Sequence, residues 1–358
     1  MEVFDRIRAH EFHPIRDGFT YDRHLDKHGV ADFADESWRV RTLAVRDLVR
    51  LGQDGVPAMI EALVDDNPHV RQISAMALGI LRAEAAAERL GSLLEEDSDE
   101  VVRSQAAVAL GQIGSDELLD VLRSAAKNDR SRDVRHQSEL SVRQIEKGMP
   151  ATDELAAAYA ALNEDNFRRV KEKRPAVDFE LPDTEGKPWR LSDFKGEKTV
   201  VLIWIFADWC PVCHGEFDDL IELKESFVEN DIQVFTIECH DFFRSRVMTG
   251  QEAQPQYWFK QGGSPEDHYR DNRWWPHLVD LGCGVGAEYG VDPMQYVVHA
   301  EWINRPATVI IDKKGIVRFA YYGTYWGDRP HIKDILEMIE NGNYDFEHPE
   351  RLQTPASE

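Results

Sequence analysis

The sequence predicts two parts of different fold class, an N-terminal α-solenoid followed by an α/β domain. Similar helical segments begin at Val40, Val70, Val102 and Val134, so they are spaced by 30, 32 and 32 residues. A fixed period of this length is typical of solenoid proteins. After Pro175, apolar runs such as TVVLIWIF and PATVIID alternate with helical segments. This alternation favours an α/β sheet.

Composition narrows the classes of protein to which the chain can belong. Its 42 Lys and Arg residues face 66 Asp and Glu residues, for a formal net charge of -24, which disfavours nucleic-acid binding. The 42% hydrophobic and 10% aromatic content is too high for a disordered chain. No apolar run reaches 18 residues, and the charged start does not resemble a signal peptide. We therefore expect a cytoplasmic protein without membrane or nucleic-acid partners.

Residues 35–148 carry the repeats and are predicted to form the solenoid. Apolar residues within each repeat fall at helical spacing, as in Ile73, Ala77 and Leu81. Acidic or turn-forming stretches such as DDNPH and EDSDE precede the repeats. Such stretches are suited to capping the helix that follows.

An arginine follows the first valine of every repeat. We expect these arginines to form a ladder of ion pairs with nearby aspartates. The alternative is a basic stripe that binds an acidic partner. The arginines are Arg41, Arg71, Arg103 and Arg135, and the expected aspartates are Asp66, Asp99 and Asp133.

Shorter segments border these two parts. Residues 1–34 form an N-terminal leader, 149–174 a linker helix and 346–358 a C-terminal tail, while the α/β domain spans 175–345. The leader has neither a cysteine pair nor an HExxH pattern, so no metal site is expected there. Its histidines are His10, His13, His24 and His28, of which the last two would share one helix face.

The segment TVVLIWIFADWCPVCHGEFDDLIEL, residues 199–223, contains the strongest functional motif. A buried strand is predicted to end before Cys210, where an amphipathic helix begins. A cysteine at a helix start faces unpaired backbone N–H groups and the positive end of the helix dipole, which favour a thiolate. Cys213, one turn later on the same face, is placed to close a disulfide with Cys210. Pro211 suits the first helical turn, because its missing N–H is not needed there.

The number and spacing of the cysteines favour redox chemistry over metal binding. The chain has four cysteines, and a zinc site built on Cys210 and Cys213 requires a second pair. Cys239 and Cys283 are 44 residues apart and form no second CxxC. We therefore expect a redox dithiol, no metal and no cofactor. The other two cysteines remain open as additional redox or regulatory thiols or as inert buried thiols.

Both parts resemble known families. The repeats resemble HEAT-like repeats of the short, phycobilisome-lyase type, a resemblance that implies a fold but no function. Residues 175–340 resemble the redoxin branch of the thioredoxin-like superfamily, which spans peroxiredoxins and TlpA/ResA-like thiol-disulfide oxidoreductases. The resemblance rests on WCPVC, PAVDFELPDTEGKPWRLSDFKGEKTVVL, HLVDLGCGVGAEYGV and RPATVIIDKKGIVRFAYYG. It implies a thioredoxin-like fold and an oxidoreductase or antioxidant activity.

Two positions favour dithiol chemistry over peroxidase chemistry within this branch. Peroxiredoxins use one attacking cysteine, helped by an upstream Thr or Ser and a downstream Arg. The resemblance aligns Cys213 with the attacking cysteine and Cys210 with the Thr or Ser. It aligns Pro306 with the arginine, and Pro306 instead matches the cis-proline that faces the CxxC of dithiol oxidoreductases, where a cis X–Pro bond has a low cost. Arg305, directly before it, remains a residue that can reach the site.

The resemblance also implies roles for residues around the dithiol. Glu216 matches the glutamate near the cysteines of TlpA/ResA-like proteins, and its alternative is a solvated helix carboxylate. Trp204 occupies the position of the buried aspartate of thioredoxins, so Glu216 or a water is the candidate base. His214 is expected to point to solvent. The candidate substrate-binding residues are Trp209, Pro211 and Arg305.

These features predict a thiol-disulfide oxidoreductase. We expect the Cys210 thiolate to attack a protein disulfide and Cys213 to release the reduced substrate, after which a thiol electron donor restores the dithiol. The solenoid is expected to bind a protein partner on its extended surface. Two alternatives remain open, a peroxiredoxin-like thiol peroxidase and a redox-sensing adaptor without turnover.

Overall fold

The computed structural model describes residues 28–167, 169–255, 265–291, 296–298, 300–323 and 327–346. Within these ranges a helical N-terminal half is followed by a C-terminal half built on a mixed sheet, which confirms the predicted fold class. No helix in these ranges is long and apolar enough to cross a membrane. Most of the leader, including His10, His13 and His24, lies outside the described residues.

The helical half consists of consecutive helices that follow the predicted repeats. They are α1 (Trp38–Leu51), α2 (Val56–Ala62), α3 (Pro68–Ile80), α4 (Ala87–Glu96), α5 (Glu100–Ile113), α6 (Leu119–Asn128), α7 (Arg132–Glu146) and α8 (Asp153–Ala161). The side chains of Asn67, Asp99 and Ser131 accept backbone N–H groups at the starts of α3, α5 and α7. These caps are the ones that the polar turns predict. The apolar faces of the helices form one continuous hydrophobic core.

Two of the repeat arginines tie their helix to the turn that precedes the next repeat. Arg71 donates from Nε and Nη2 to the two carboxylate oxygens of Asp97, at 2.8 and 2.9 Å. Arg103 binds Asp129 in the same way, at 2.9 and 3.0 Å. The predicted ladder is therefore present at Arg71 and Arg103, whereas Arg41 and Arg135 donate to the backbone oxygens of Asp35 and Asp129. Asp99, one of the aspartates expected from the sequence, is occupied as the N-cap of α5.

His28 is the one leader histidine in the described part of the chain, and it makes a structural contact. Its side chain is buried, and Nδ1 lies 2.9 Å from Oδ2 of Asp47 on α1. The backbone N–H of His28 donates to the same oxygen at 3.2 Å. The described residues contain no group of three or more side chains that could hold a metal ion. His28 therefore fastens the end of the leader to the first repeat.

The linker helix predicted over residues 149–174 is shorter in the structure. Helix α8 ends at Ala161, and Leu162 leaves the helical conformation with a ψ of 130°. The Asn163 side chain accepts the backbone N–H of Asp165 at 3.1 Å. Such a local turn competes with continuation of the helix.

The C-terminal half is built on a five-stranded sheet. The strands are β1 (Glu180–Pro182), β2 (Pro188–Arg190), β3 (Thr199–Trp204), β4 (Ile232–Glu238), β5 (His277–Val279), β6 (Tyr296–Val298), β7 (Glu301–Ile303), β8 (Ala307–Ile311) and β9 (Val317–Tyr322). The helices are α9 (Pro211–Glu222), α10 (Lys224–Glu229), α11 (Phe242–Met248), α12 (Pro265–Asn272), α13 (Gly284–Tyr289) and α14 (Ile332–Asn341). The main sheet has the order β5-β4-β3-β8-β9. Strands β3, β4 and β5 are parallel, and β8 and β9 pair antiparallel.

Strand β3 lies in the middle of this sheet and leads the chain to the WCPVC motif. Val201 and Ile203 pack into one core with Phe217 of α9. Leu202 and Trp204 face the opposite core. All residues of β3 are buried, as expected for a central strand that is covered on both faces.

The two halves pack directly against each other. Leu140 of α7 lies in a small apolar cluster with Phe243 of α11. Beside it, Nε2 of Gln144 donates to the Asp241 carboxylate at 3.0 Å. The last repeat thus contacts the segment that follows β4.

Candidate redox site

The WCPVC motif lies between the end of β3 and the first turn of α9. Cys210 is the N-cap of α9 and has extended backbone angles, while Pro211 is the first helical residue. The predicted strand, helix start and proline position are thus present. Both thiols of the motif are buried, with 1% of Cys210 and 0% of Cys213 exposed, and neither is in a disulfide.

Cys213 is surrounded by hydrogen-bond donors. The backbone N–H of Phe206 donates to its Sγ atom at 3.3 Å, and Nη1 of Arg329 donates at 3.5 Å. The Cys210 thiol and the backbone N–H of Ala207 also donate to it. Burial on its own raises the pKa of a thiol, but these donors and the guanidinium charge outweigh it and lower the pKa of Cys213 to about 6.

The pKa of Cys210 is shifted in the opposite direction. Burial, and then the hydrogen bond that its thiol donates to Cys213, raise the pKa of Cys210 well above its ordinary value. The two shifts favour ionisation of Cys213 before Cys210. The sequence predicts the thiolate at Cys210, at the helix start, whereas the backbone N–H of Phe206 and the Arg329 guanidinium both donate to Cys213.

Glu216 lies one turn beyond Cys213 and is bound to the same guanidinium. Nη1 of Arg329 donates to Oε2 of Glu216 at 2.6 Å, and both side chains are buried. Burial raises the pKa of Glu216 to about 8; Arg329 opposes this rise and the neighbouring Cys213 adds to it. Glu216 is therefore part of the buried cluster and not a solvated helix carboxylate, and it retains a proton at neutral pH.

Arg329 is the residue of this cluster that the sequence reasoning missed. It lies in the loop between β9 and α14 and is 116 positions from Cys213. The sequence offered only a weak signal, an arginine in the short segment GDRP a few residues after RPATVIIDKKGIVRFAYYG. No spacing to the WCPVC motif marks it.

Asp208, two residues before Cys210, is held by a charged network that reaches the solenoid. It is fully buried, and both Nε and Nη2 of Arg244 donate to its Oδ1 atom, the former at 3.1 Å. Nη1 of Arg244 donates to Oε1 of Gln137 on α7 at 2.9 Å. A repeat helix is thus linked through one arginine to the residue that precedes the motif by one position.

His214 is buried, which contradicts the expectation that it points to solvent. Its Nε2 atom donates to the backbone oxygen of Asp208 at 2.6 Å, and Nδ1 lies 3.1 Å from the hydroxyl of Tyr269. The two rings stack with centroids 5.5 Å apart. Tyr269 belongs to α12, which covers this side of the site, and burial lowers the pKa of His214.

Pro306 lies beside the end of β3, but the peptide bond before it is trans instead of cis. Nδ2 of Asn304 donates to the backbone oxygen of Ile205 at 3.2 Å, which fixes this segment next to the strand end. The trans backbone leads directly into β8, where Ala307 pairs with Trp204. Pro306 is thus close to the motif, without the backbone form that the resemblance implies.

The candidate substrate-binding residues differ in their exposure. Pro211 is exposed, whereas Trp209 and Arg305 are buried. Trp209 packs edge-on against Phe206 with ring centroids 5.7 Å apart. The guanidinium that donates to Cys213 is that of Arg329.

Comparisons with known protein families match both halves. Residues 173–320 match the AhpC/TSA family. Residues 30–110 and 83–143 match HEAT repeats. The predicted resemblances of the solenoid and of the redoxin domain are therefore confirmed.

Curated relatives of the C-terminal half fall into two groups. The thiol-disulfide oxidoreductase ResA of Geobacillus thermodenitrificans is 25% identical over 165 residues, which are 46% of this chain and 76% of that protein. The thioredoxin-like protein YneN of Bacillus subtilis is 26% identical over 155 residues, or 43% of this chain and 74% of that protein. Alkyl hydroperoxide reductase E of Mycobacterium tuberculosis is 30% identical over 145 residues, or 40% of this chain and 80% of that protein.

Proposed function

The chain belongs to the AhpC/TSA family, and from this premise we propose that it is a thiol-disulfide oxidoreductase that works through Cys210 and Cys213. The observation that carries the proposal is the buried dithiol in which Arg329 and a neutral Cys210 thiol both contact Cys213. A thiolate with a neutral thiol beside it is the arrangement needed to attack a disulfide and then to resolve the product. The relatives named as thiol-disulfide oxidoreductase and thioredoxin-like protein support the same class.

The proposed reaction begins at Cys213. Its thiolate attacks one sulfur of a protein disulfide, the substrate S–S bond breaks, and the leaving thiolate takes the proton of the Glu216 carboxyl. Cys210 then attacks the Cys213 sulfur, the mixed disulfide breaks, and the proton of Cys210 goes to the second leaving thiolate. Two electrons have moved from the dithiol to the substrate, and a thiol electron donor reduces the Cys210–Cys213 disulfide for the next cycle. No cofactor is needed.

Trapping variants test the order of attack. Cys210→Ser should accumulate a mixed disulfide on Cys213 when the protein is incubated with oxidised insulin, because the resolving thiol is missing. Cys213→Ser should neither form the adduct nor reduce insulin. Cys239→Ser is the matched control and should reduce insulin at the normal rate. An adduct on Cys210 in Cys213→Ser, with an inactive Cys210→Ser, would assign the attack to Cys210 instead.

A thiol peroxidase is the second candidate, and the contact between Arg329 and Cys213 favours it. A cysteine thiolate beside an arginine is also suited to attack a peroxide, and the relative named alkyl hydroperoxide reductase belongs to this branch. Cys213 would form a sulfenic acid and release water, and Cys210 would condense with it to a disulfide with loss of a second water. Rapid consumption of hydrogen peroxide by the reduced protein, lost in Cys213→Ser, would favour this candidate. Slow consumption with rapid insulin reduction favours the first.

The same proposal assigns the solenoid to the binding of a protein partner. Two large apolar side chains in its first repeat are prominently exposed, Leu51 at 56% and Val64 at 60%. Exposed apolar side chains on a repeat surface are suited to contact a partner. Leu51→Ser/Val64→Ser should lower the amount of a cellular protein trapped by Cys210→Ser and leave insulin reduction unchanged. Partner binding that differs between oxidised and reduced protein, without turnover, would instead favour a redox-sensing adaptor.

The proposed setting is the cytoplasm, where the dithiol is kept reduced and the reaction runs towards reduction of the substrate. The acidic composition and the small number of cysteines support this setting. Cell fractionation followed by thiol labelling tests it. Recovery of the protein outside the cytoplasm with an oxidised Cys210–Cys213 pair would contradict it.

A further inference from the structure

The two cysteines outside the WCPVC motif lie next to each other, although 44 residues separate them. Strand β4 pairs with β5 so that Glu238 lies opposite Val279, which brings Cys239 close to the loop after β5. The Cys283 thiol donates to the backbone oxygen of Cys239 at 3.8 Å, and the two thiols share a hydrogen bond. Both are free thiols in the structure. They form a second dithiol.

The loop that presents Cys283 is held in a defined shape. Cys283 has a φ of 57°, in the left-handed region that residues other than glycine rarely adopt. Gly282 before it has a φ of 69°. The Asp280 carboxylate accepts the backbone N–H of Gly286 at 2.7 Å, which closes the loop. A strained backbone at a cysteine that contacts a second cysteine is typical of a functional position.

The two thiols differ in accessibility. Cys239 is half-buried, whereas only 5% of Cys283 is exposed. An oxidant that approaches from solvent therefore meets Cys239 first. Cys283, the more buried of the two, is positioned to react with the modified Cys239 sulfur in a second step.

We propose that Cys239 and Cys283 are a second redox site, which low-molecular-weight disulfides convert into an intramolecular disulfide. The hydrogen bond with Cys283, and then burial, raise the pKa of Cys239 well above its ordinary value, so a small thiolate fraction reacts. This thiolate attacks one sulfur of the small disulfide, whose S–S bond breaks to release one thiol. The Cys283 thiolate then attacks the Cys239 sulfur and releases the second thiol. The two protons of the cysteines end on the two released thiols, and two electrons pass to the small disulfide. This site does not depend on the function proposed for Cys210 and Cys213.

The second dithiol lies where the two halves of the protein meet. A Cβ atom at Gly282 would lie 3.0 Å from the backbone of Ala158 and of Tyr159 on α8, so this loop rests directly on the helix. Tyr159 is buried; burial, and then the nearby Cys283 and Cys239, raise the pKa of its hydroxyl well above the ordinary value. A disulfide would therefore tie the end of β4 to the loop that packs on α8. Oxidation is expected to stabilise the junction between the halves.

The test uses the full chain with Cys210→Ser/Cys213→Ser, in which Cys239 and Cys283 are the remaining cysteines. The protein is equilibrated in buffers of increasing ratio of oxidised to reduced glutathione and is then quenched with acid. We expect both free thiols to disappear together, with a mass loss of two hydrogen atoms and no glutathione adduct. Cleavage with trypsin at Lys224, Arg244 and Arg273 places the two cysteines on separate peptides, which should be recovered as one linked species. The oxidised protein should have a higher Tm than the reduced protein.

Single variants in the same background test the order of reaction. Adding Cys283→Ser should leave a glutathione adduct on Cys239, because the resolving thiol is missing. Adding Cys239→Ser should leave Cys283 mostly unmodified, because it is buried. Two free thiols at the most oxidising ratio, stable glutathione adducts on the protein with both cysteines, or disulfides between chains would each overturn the proposal.

The unaltered protein provides a second measurement that does not require the double variant to fold. Trypsin also separates both of these cysteines from the peptide that carries Cys210 and Cys213, because cleavage occurs at Lys198 and Lys224. The Cys239–Cys283 linkage should appear in the glutathione titration with its own midpoint. Its absence, with Cys210–Cys213 oxidised, would reject the second site and leave the proposed function intact.

Discussion

The Nη1 atom of Arg329 lies 3.5 Å from the Sγ atom of Cys213. The same nitrogen donates to Oε2 of Glu216 at 2.6 Å. One buried cation therefore stabilises the ionised forms of both the thiol and the carboxyl. The thiolate of Cys213 is stabilised more than the carboxylate, because Cys210 and two backbone N–H groups also donate to it. The thiol therefore ionises at lower pH than the carboxyl, with pKa values of about 6 for Cys213 and about 8 for Glu216. This reverses the order that the two groups have in water.

The first prediction concerns which cysteine ionises. The ultraviolet absorbance of thiolate should rise with a midpoint near pH 6, the lowered pKa of Cys213. Cys213→Ser should abolish this transition. Cys210→Ala should keep it but move it to higher pH, because the hydrogen bond that the Cys210 thiol donates to the thiolate is lost. A transition near pH 6 that survives in Cys213→Ser would show that the thiolate is elsewhere.

The second prediction concerns Arg329. Arg329→Met should raise the pKa of Cys213 and slow its alkylation by iodoacetamide at pH 6 by about 10- to 100-fold, since a hydrogen bond to a charged group contributes about 1.5–3 kcal/mol. Arg329→Lys should recover part of the rate, because it keeps the charge but not the forked geometry. Arg318→Met, at a half-exposed arginine paired with Asp312 at 3.6 Å, is the matched control. An unchanged alkylation rate in Arg329→Met would remove Arg329 from the site.

The features that could be predicted from the sequence are those that depend on neighbouring residues. The helix start at Cys210 is one example, because strand, motif and amphipathic helix follow each other directly. The donors around Cys213 could not be predicted, because folding brings Arg329 from 116 positions away. The environment of His214 was wrong for the same reason, since Tyr269 comes from another helix 55 positions away.

The third prediction concerns the pH dependence of stability. Burial raises the pKa of Glu216 from 4.5 to about 8. A raised folded-state pKa contributes stability that is fully present below pH 4.5 and is lost as the pH rises through about 8. Glu216→Gln cannot ionise, so the free energy of unfolding of the unaltered protein should fall relative to that of Glu216→Gln over this range. Urea unfolding at a series of pH values measures the difference.

Comparing the two proteins is necessary because Cys213 acts in the opposite direction. Its lowered pKa contributes stability that is present above its unfolded value of 9.0 and is lost as the pH falls through about 6. This contribution is largely common to both proteins and cancels in the difference. Glu180→Gln, at a half-exposed carboxylate paired with Arg190, should show no such trend. A flat difference for Glu216→Gln would mean that Glu216 is ionised in the folded protein throughout this range.

The fourth prediction concerns the link between the solenoid and the redox site. Arg244→Met removes the guanidinium from the fully buried Asp208 carboxylate and should cost about 3–5 kcal/mol of unfolding free energy. Gln137→Leu removes the acceptor of the Arg244 Nη1 atom and should cost about 1–3 kcal/mol. Arg123→Met, at an exposed pair with Glu146, should cost less than about 1 kcal/mol.

The double variant shows whether the two halves are coupled through this arginine. In the Arg244→Met protein the Oε1 atom of Gln137 has already lost this donor, so adding Gln137→Leu should cost less than it does alone, and the combined cost should be smaller than the sum of the two single costs. Gln137 belongs to a repeat helix and Asp208 precedes the redox motif, so such a shortfall would be an energetic coupling between solenoid and site. Strictly additive costs would contradict it. Each half would then be stabilised independently, and the contact at Arg244 would contribute packing without coupling the two halves energetically.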